Sequence, residues 1–230
     1  MRFFHHIFSK PIIFRENKVN LLVIENKKLF ANFVRDFTVQ SRGEEGEILL
    51  SDDVSDLDFE KHAEVIADYF SLDFNGKKLS SKLITELKQS ALYGFAGEAG
   101  ELLGLLNSFG SKVISSVEFP LEWETVYDIG AVLKLFDYRL NVSSENFLEM
   151  LVDYMEVCSH FLKKDIFILV NLKSYFDMEE IKLLYKEAFF RKWNLIVLEP
   201  SSSGSLQEYE DIVIIDKDIC EIRLDNEEFL

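Results

Sequence analysis

The stretch Ile166–Tyr185, IFILVNLKSYFDMEEIKLLY, decides how this chain is read. It opens with IFILVN, a nearly continuous apolar run, the pattern of a strand covered on both faces. Asp177 and Glu180 are spaced as a capping box, so a helix starts beside them and runs through EEIKLLYKEAFF. A strand, a short turn and a helix make the frame in which phosphate-binding loops are built. Such loops put glycines in the turn and a Lys at the helix start. Here the turn, NLKSYFD, has no glycine. The chain has the frame of a nucleotide-binding unit without its loop.

Downstream, NLIVLEP reads as a second apolar strand ended by Pro200, PSSSGS as a loop, DIVIID as a third strand and ICEIRL as a fourth. Strand, helix, strand in this order implies a right-handed parallel crossover. Upstream, FFHHIF, PIIF and VNLLVIE are short β-like runs. KKLFANFVRDF is helical, with Leu29, Phe33 and Phe37 on one face, SRGEEGE is a loop, and EILL is a short strand. The two ends of the chain thus build one α/β head, residues 1–58 and 163–230, around an all-helical insertion, 59–162.

Within the insertion, FEKHAEVIADYF reads as an amphipathic helix with Phe59, Ala63, Ile66 and Phe70 on one stripe. Asn75-Gly76 marks a turn, and KLSSKLITELKQSALYGFAGEAGELLGLL begins a long helical stretch. ETVYDIGAVLKLFDYRL and SSENFLEMLVDYMEVCSHFL are further helices, the second with Phe147, Leu151, Tyr154, Cys158 and Phe161 on its stripe and Ser143 or Ser144 as N-cap. Glycines 94, 97, 100 and 104 follow GxxGxxG, not the dinucleotide pattern GxGxxG, and no strand precedes them. They are expected on a helical face that another backbone approaches closely.

The composition narrows the function. Of 230 residues 48% are hydrophobic, with 21 Phe, enough for a real core. A formal net charge of −16 argues against general nucleic-acid binding unless basic groups gather locally or divalent cations neutralise carboxylates. The two cysteines suit a reducing cytosol, and Cys158 reads as a small core hydrophobe. No apolar run is long enough to span a membrane and no secretory signal is visible, so a cytoplasmic protein without membrane association is expected. Walker loops, GxSxG and HExxH are all absent from the sequence, so no catalytic residue is assigned.

His5 and His6 are adjacent, which in a strand turns them to opposite faces, and His62 and His160 are isolated; no zinc site is expected. Glu118, Glu122, Glu124 and Asp128 are denser, around FPLEWETVYD. Carboxylates on a loop entering a helix suit a hard cation such as calcium; the alternative is favourable charge at a helix N-terminus. Basic residues come in pairs, including Lys77-Lys78, Lys163-Lys164 and Arg191-Lys192, with Lys82, Lys88, Lys134 and Arg139 also on the insertion. Each is by default a solvated charge, and only several gathered on one surface would bind phosphates.

Taken in order, the motifs resemble those of the accessory spacer-acquisition proteins of type II-A CRISPR–Cas systems. The matching positions are Val170-Asn171, Tyr175, Glu179-Glu180, Leu198-Glu199-Pro200 and Asp216-Lys217-Asp218. PIIFRENKVNLLVIEN resembles that family's first hairpin and SVEFPLEWETVYDIGAVLKLF its acidic helix entry. The resemblance implies a degenerate P-loop-ATPase-like α/β head carrying a long helical insertion. It further implies a homotetrameric ring, stabilised by calcium, that binds double-stranded DNA ends and lets the duplex slide through. The partners implied are the adaptation integrase proteins and the RNA-guided effector nuclease, and the family is not known as an enzyme. Carried onto this sequence, it points to Glu118, Glu122 and Glu124 as calcium ligands; Pro120 stands where the acidic entry usually has another carboxylate. The DNA-lining residues are expected to be Lys77, Lys78, Lys82 and Lys88, with Lys134 behind them. A protein-interaction scaffold without DNA affinity and a nucleotide hydrolase are the competing readings; the missing glycines speak against the second.

Overall fold

A computed structural model describes residues 1–142, 144, 146–202 and 208–224. The contacts divide it into two units, residues 1–72 with 143–230, and residues 73–142.

The first unit is the α/β head. Its main sheet has six strands in the order β10-β9-β3-β8-β7-β6. These are β3 (Val19–Ile24), β6 (Ala63–Ile66), β7 (Ile166–Val170), β8 (Asn194–Glu199), β9 (Glu210–Ile215) and β10 (Glu221–Leu224). The strands from β9 to β6 are all parallel, and only β10 joins antiparallel, at one edge. A second, antiparallel sheet has the order β2-β1-β4-β5, from β1 (Arg2–Phe4), β2 (Ile12–Ile13), β4 (Leu49–Ser51) and β5 (Asp56–Leu57). Every residue of β7 is buried, because its two faces serve two cores. Phe167 and Leu169 pack with helices α6 (Phe147–Leu162) and α7 (Met178–Arg191) through Leu151, Met155, Leu184 and Ala188. Ile168 and Val170 pack on the other side with α1 (Lys27–Gln40) and the small sheet. There Phe3, Phe8, Phe33, Phe37 and Phe59 meet ring to ring, with centroids 5.6–6.1 Å apart. Burying each of these rings stabilises the head by about 2–3 kcal/mol.

The helix starts are written in the sequence. Asp177 and Glu180 form the expected capping box on α7. The side chain of Asn26 accepts from Leu29 N to cap α1, and that of Asn146 accepts from Leu148 N to cap α6. For α6 the expected cap was Ser143 or Ser144; Ser143 lies outside the described residues, and Ser144 instead donates to Asp153. Part of the expected loop after Pro200, residues 203–207, also lies outside them.

Two segments expected in the insertion belong to the head. FEKHAEVIADYF is not one helix: α2 (Phe59–His62) stops and Ala63–Ile66 becomes the edge strand β6 beside β7. Pairing with an apolar parallel neighbour outweighs the local helical period. Lys164, expected at a solvated face, is buried and holds this switch by donating to the carbonyls of Glu60 and Ala63. Helix α6 covers the main sheet with Leu148, Leu151, Met155 and Cys158.

The second unit, 73–142, is helical. The long stretch is two helices, α3 (Lys77–Gly94) and α4 (Ala96–Ser115), broken at Phe95. ETVYDIGAVLKLFDYRL is helical only over α5 (Ile129–Leu133) and a short 3-10 turn at Lys134–Phe136. Residues 117–127 run without a helix alongside α4, because the Asn107 side chain accepts from Val126 N at 2.8 Å and donates to Val126 O at 2.9 Å. Close approach in this unit occurs at Gly110, where an added Cβ would sit 2.8 Å from the Trp123 ring. At Gly94, Gly97, Gly100 and Gly104, where it was expected, nothing comes within 4 Å. Among the described residues no helix is long and apolar enough to cross a membrane.

Candidate functional site

Ligands of open α/β sheets bind beyond the carboxyl ends of the strands, where the strand order reverses. In this head the reversal lies at β3, which has β8 on one side and β9 on the other. The strand–turn–helix unit at that position is β3–α1, not the β7–α7 unit that the apolar run first points to. Only Glu25 and Asn26 separate β3 from α1, so the GxxxxGK[ST] loop has no room. Both residues are already used: Glu25 N donates to Ile215 O and Asn26 Nδ2 donates to Lys217 O.

The β7–α7 turn is filled from within. Asn171 takes the left-handed conformation, φ 57°, that a glycine would otherwise supply, and Leu172–Ser174 close a 3-10 turn. Lys173 does not point outward to a phosphate. Its Nζ lies 2.8 Å from Glu210 Oε1, with the two side chains 8% and 0% exposed. Tyr185 OH donates to the same oxygen at 2.8 Å, and Lys173 N donates to Glu199 Oε1 at 2.8 Å. A buried ion pair with its own hydrogen bonds therefore holds the Lys of the β7–α7 turn inside the head.

Burial raises the Glu199 carboxyl above its ordinary value, while the Lys173 backbone bond and charge pull it back. A carboxyl raised in the folded state binds its proton more tightly there than in the unfolded chain. Its charge therefore destabilises the fold as pH rises from the ordinary value of 4.5 through the folded one. Glu199→Gln keeps the acceptor and removes the charge. Its stability relative to the parent should improve over that pH window and show no pH trend below it. Denaturant titrations of both proteins across the acidic range test this; a difference that does not change with pH sinks the assignment.

The predicted DNA-lining lysines all lie on the second unit. Lys77, Lys78 and Lys82 are exposed on the first turns of α3. Lys88 and Lys134 share a groove of about 470 Å³ with Ser80, Ser81, Ile84, Thr85, Asp128 and Gly130. At 100° per residue Lys77 and Lys88 are about 20° apart, on the groove side, and Lys78 and Lys82 sit further round the helix. Lys88 Nζ pairs with Asp128 Oδ1 at 2.8 Å, and this contact holds the Asp128 carboxyl below its ordinary value. Asp128 also accepts from Gly130 N as the N-cap of α5, the helix-terminus role weighed against cation binding.

The predicted calcium ligands Glu118, Glu122 and Glu124 are exposed on the segment between α4 and α5. Among the described residues they are not gathered into a ligand set. Within one chain they do not fit a calcium ion, which takes six to eight oxygens. The set that is gathered is His5, His6 and Glu47, which the alternation rule set aside.

The buried thiol behaves as expected. Cys158 is fully buried on α6, and burial pushes it up to about 12; Cys220 is exposed.

A family model described as CRISPR-associated protein (Cas_Csn2) matches residues 40–219. The chain belongs to the Cas_Csn2 family. Its members are accessory adaptation proteins of type II-A CRISPR systems, and this chain is CRISPR-associated accordingly. The match runs through both units, from the end of α1 to the turn before β10. The chain also shows a loose likeness to a solved structure described as a nucleotide-free ATP-binding cassette from an ABC transporter. The TM-score is 0.46 at 11% identity, covering 94% of this chain and 85% of that one. In this Cas_Csn2 chain the head is defined by the order of its parallel strands.

Proposed function

We propose that this Cas_Csn2 chain forms a homotetrameric ring that binds the ends of double-stranded DNA without regard to sequence and threads the duplex, in support of spacer acquisition. The observation that carries the reading is an open apolar stripe on α4. Leu102, Leu105, Phe109 and Val113 recur every three or four residues and are all exposed. A helix with a bare apolar stripe buries it against another helix. A second copy of the chain offers the same stripe, so a self-complementary contact is available.

The distribution of charge supports the DNA part. Residues 73–142 hold seven Lys or Arg against nine Asp or Glu, a net of −2 out of the chain's −16. The repulsion toward phosphates is concentrated in the head, and the helical unit is nearly neutral with Lys77, Lys78 and Lys82 exposed on it. Ring assembly would multiply those lysines around a channel. Calcium belongs to this proposal as a structural ion between subunits, with Glu118, Glu122 and Glu124 giving part of a ligand set that a second copy completes. The role requires no bond chemistry, so the protein acts as a cytoplasmic adaptor beside the integrase proteins and the RNA-guided effector nuclease.

A gel-shift titration tests this with linear and covalently closed circular duplex, each in calcium and in chelator. The expected result is binding to linear duplex alone, strengthened by calcium. Affinity should fall steeply with salt, with a slope of about −0.9 per phosphate neutralised. Replacing Lys77, Lys78 and Lys82 together by Glu should flatten that slope by about three units for each subunit in contact with the duplex and weaken binding more than tenfold. Equal binding to both duplexes removes threading, an unchanged slope removes these lysines, and no binding at all favours a pure protein scaffold.

A further inference from the structure

We propose that His5, His6 and Glu47 form a binding site for a divalent transition metal of the zinc class. The strict alternation of a strand would separate the two histidines. However, β1 ends at Phe4, and residues 5–8 turn, with Phe8 N donating to His5 O at 3.0 Å. The turn stacks the two imidazoles with centroids 4.3 Å apart. Glu47 comes from the loop leading into β4, the strand paired with β1. Its Oε2 lies 3.5 Å from His5 Nε2 and 2.7 Å from His6 Nδ1. One ligand atom from each residue falls within 4.8 Å of the others.

The spacing of the two edges at Glu47 can be brought to tetrahedral coordination by a small movement. With metal–ligand bonds of about 2.0–2.1 Å, neighbouring ligand atoms stand about 3.3 Å apart. The His5–Glu47 edge is already close to that length. The His6–Glu47 edge has to open by about half an ångström, which nothing opposes, because both side chains are about two-thirds exposed. Two imidazoles and one carboxylate favour zinc, cobalt or nickel over calcium, which prefers oxygen alone.

An independent observation points the same way. His5 is only 2% exposed, and its Nε2 is buried with no hydrogen-bond partner while facing Glu47. A buried unpartnered nitrogen of this kind is destabilising unless something meets it. The ring cannot turn away, since Phe33 packs on it at 4.4 Å and Phe8 at 6.3 Å. Ile7 N donates to His5 Nδ1 at 3.3 Å, so without metal the imidazole proton sits on Nε2. Binding moves that proton to Nδ1 and releases this long bond, which limits the affinity. His6 and Glu47 open to solvent, giving the ion an entry path and leaving coordination positions for water or for a side chain of another molecule. The site lies in the head and stands whether or not the ring reading does.

The test uses the full chain without a purification tag, titrated with cobalt and followed by its visible absorption, then with zinc in competition. One cobalt per chain is expected, displaced by zinc and not by calcium. His6→Ala and Glu47→Gln should each weaken metal binding about tenfold or more. Both residues are exposed, so the unfolding temperature without metal should stay at the parent value. Cys220→Ser should bind cobalt as the parent does. Loss of the cobalt bands in Cys220→Ser would assign them to the thiol and overturn the site. So would a parent that binds no cobalt, or His6→Ala and Glu47→Gln variants with parental zinc affinity.

Discussion

Lys173→Met should lower the free energy of unfolding by about 3–5 kcal/mol, the range for breaking a buried ion pair from one side. The methionine fills much of the same volume, so the effect is electrostatic. Glu210 would lose the ammonium 2.8 Å away in a site where its own side chain is fully buried. Tyr185 OH would still donate to it, but a neutral hydrogen bond does not replace a buried ammonium as the partner of a carboxylate. Glu199 would lose the same cation, and the two carboxylates already repel one another. Lys173→Met/Glu210→Gln removes both charges and should recover more than half of the loss, since a buried pair replaced as a unit is often close to neutral. Urea unfolding of the two single variants and the double variant gives the coupling directly. A single-variant loss below about 1 kcal/mol would mean that solvent reaches this site and that the pair is not buried as described.

If α4 carries the proposed ring contact, Leu105→Glu/Phe109→Glu should dissociate the assembly and leave the chain folded. Both side chains are about two-thirds exposed, so in the single chain the charges meet water. In an interface they would be buried without partners. Each apolar anchor of a helix–helix contact is worth about 2–4 kcal/mol, so the pair should weaken self-association by a factor of a hundred or more. Mass measurements across a dilution series check this, with the unfolding transition as the control for folding. DNA binding should fall with the assembly. A variant that keeps the parental mass would move the interface off α4, and a variant that keeps DNA binding as a monomer would remove the ring.

Much of the head was legible because its signals are local. An apolar run such as Ile166–Val170, short and rich in Ile and Val, has the pattern of a strand covered on both faces, and Asp177 with Glu180 fixes where the next helix begins. The family was legible from the order of such motifs, each of them soft by itself. The insertion was less so. Residues 63–66 carry a helical period, yet they become a strand because β7 offers an unpaired apolar edge, and no local pattern reports a neighbour a hundred residues away. The glycines of α4 misled for the same reason: spacing shows which residues share a face, not what lies against it. Gly110, the one that Trp123 presses on, carries no mark in the sequence.

The candidate sites divide along the same line. That no phosphate loop exists was settled by the sequence alone, because such a loop is a contiguous pattern of glycines and Lys, and its absence needs no coordinates. Where the Lys of the β7–α7 turn goes was decided only by the tertiary structure, since Lys173 and Glu210 are brought together by packing between a turn and a distant strand. His5, His6 and Glu47 make the same point in reverse. Their separation was inferred from a strand that ends at Phe4, before either histidine, and a turn together with a sheet pairing across more than forty residues brings them into one cluster. Local chemistry fixes what each segment is; long-range pairing, with the entropy it has to overcome, fixes which side chains meet.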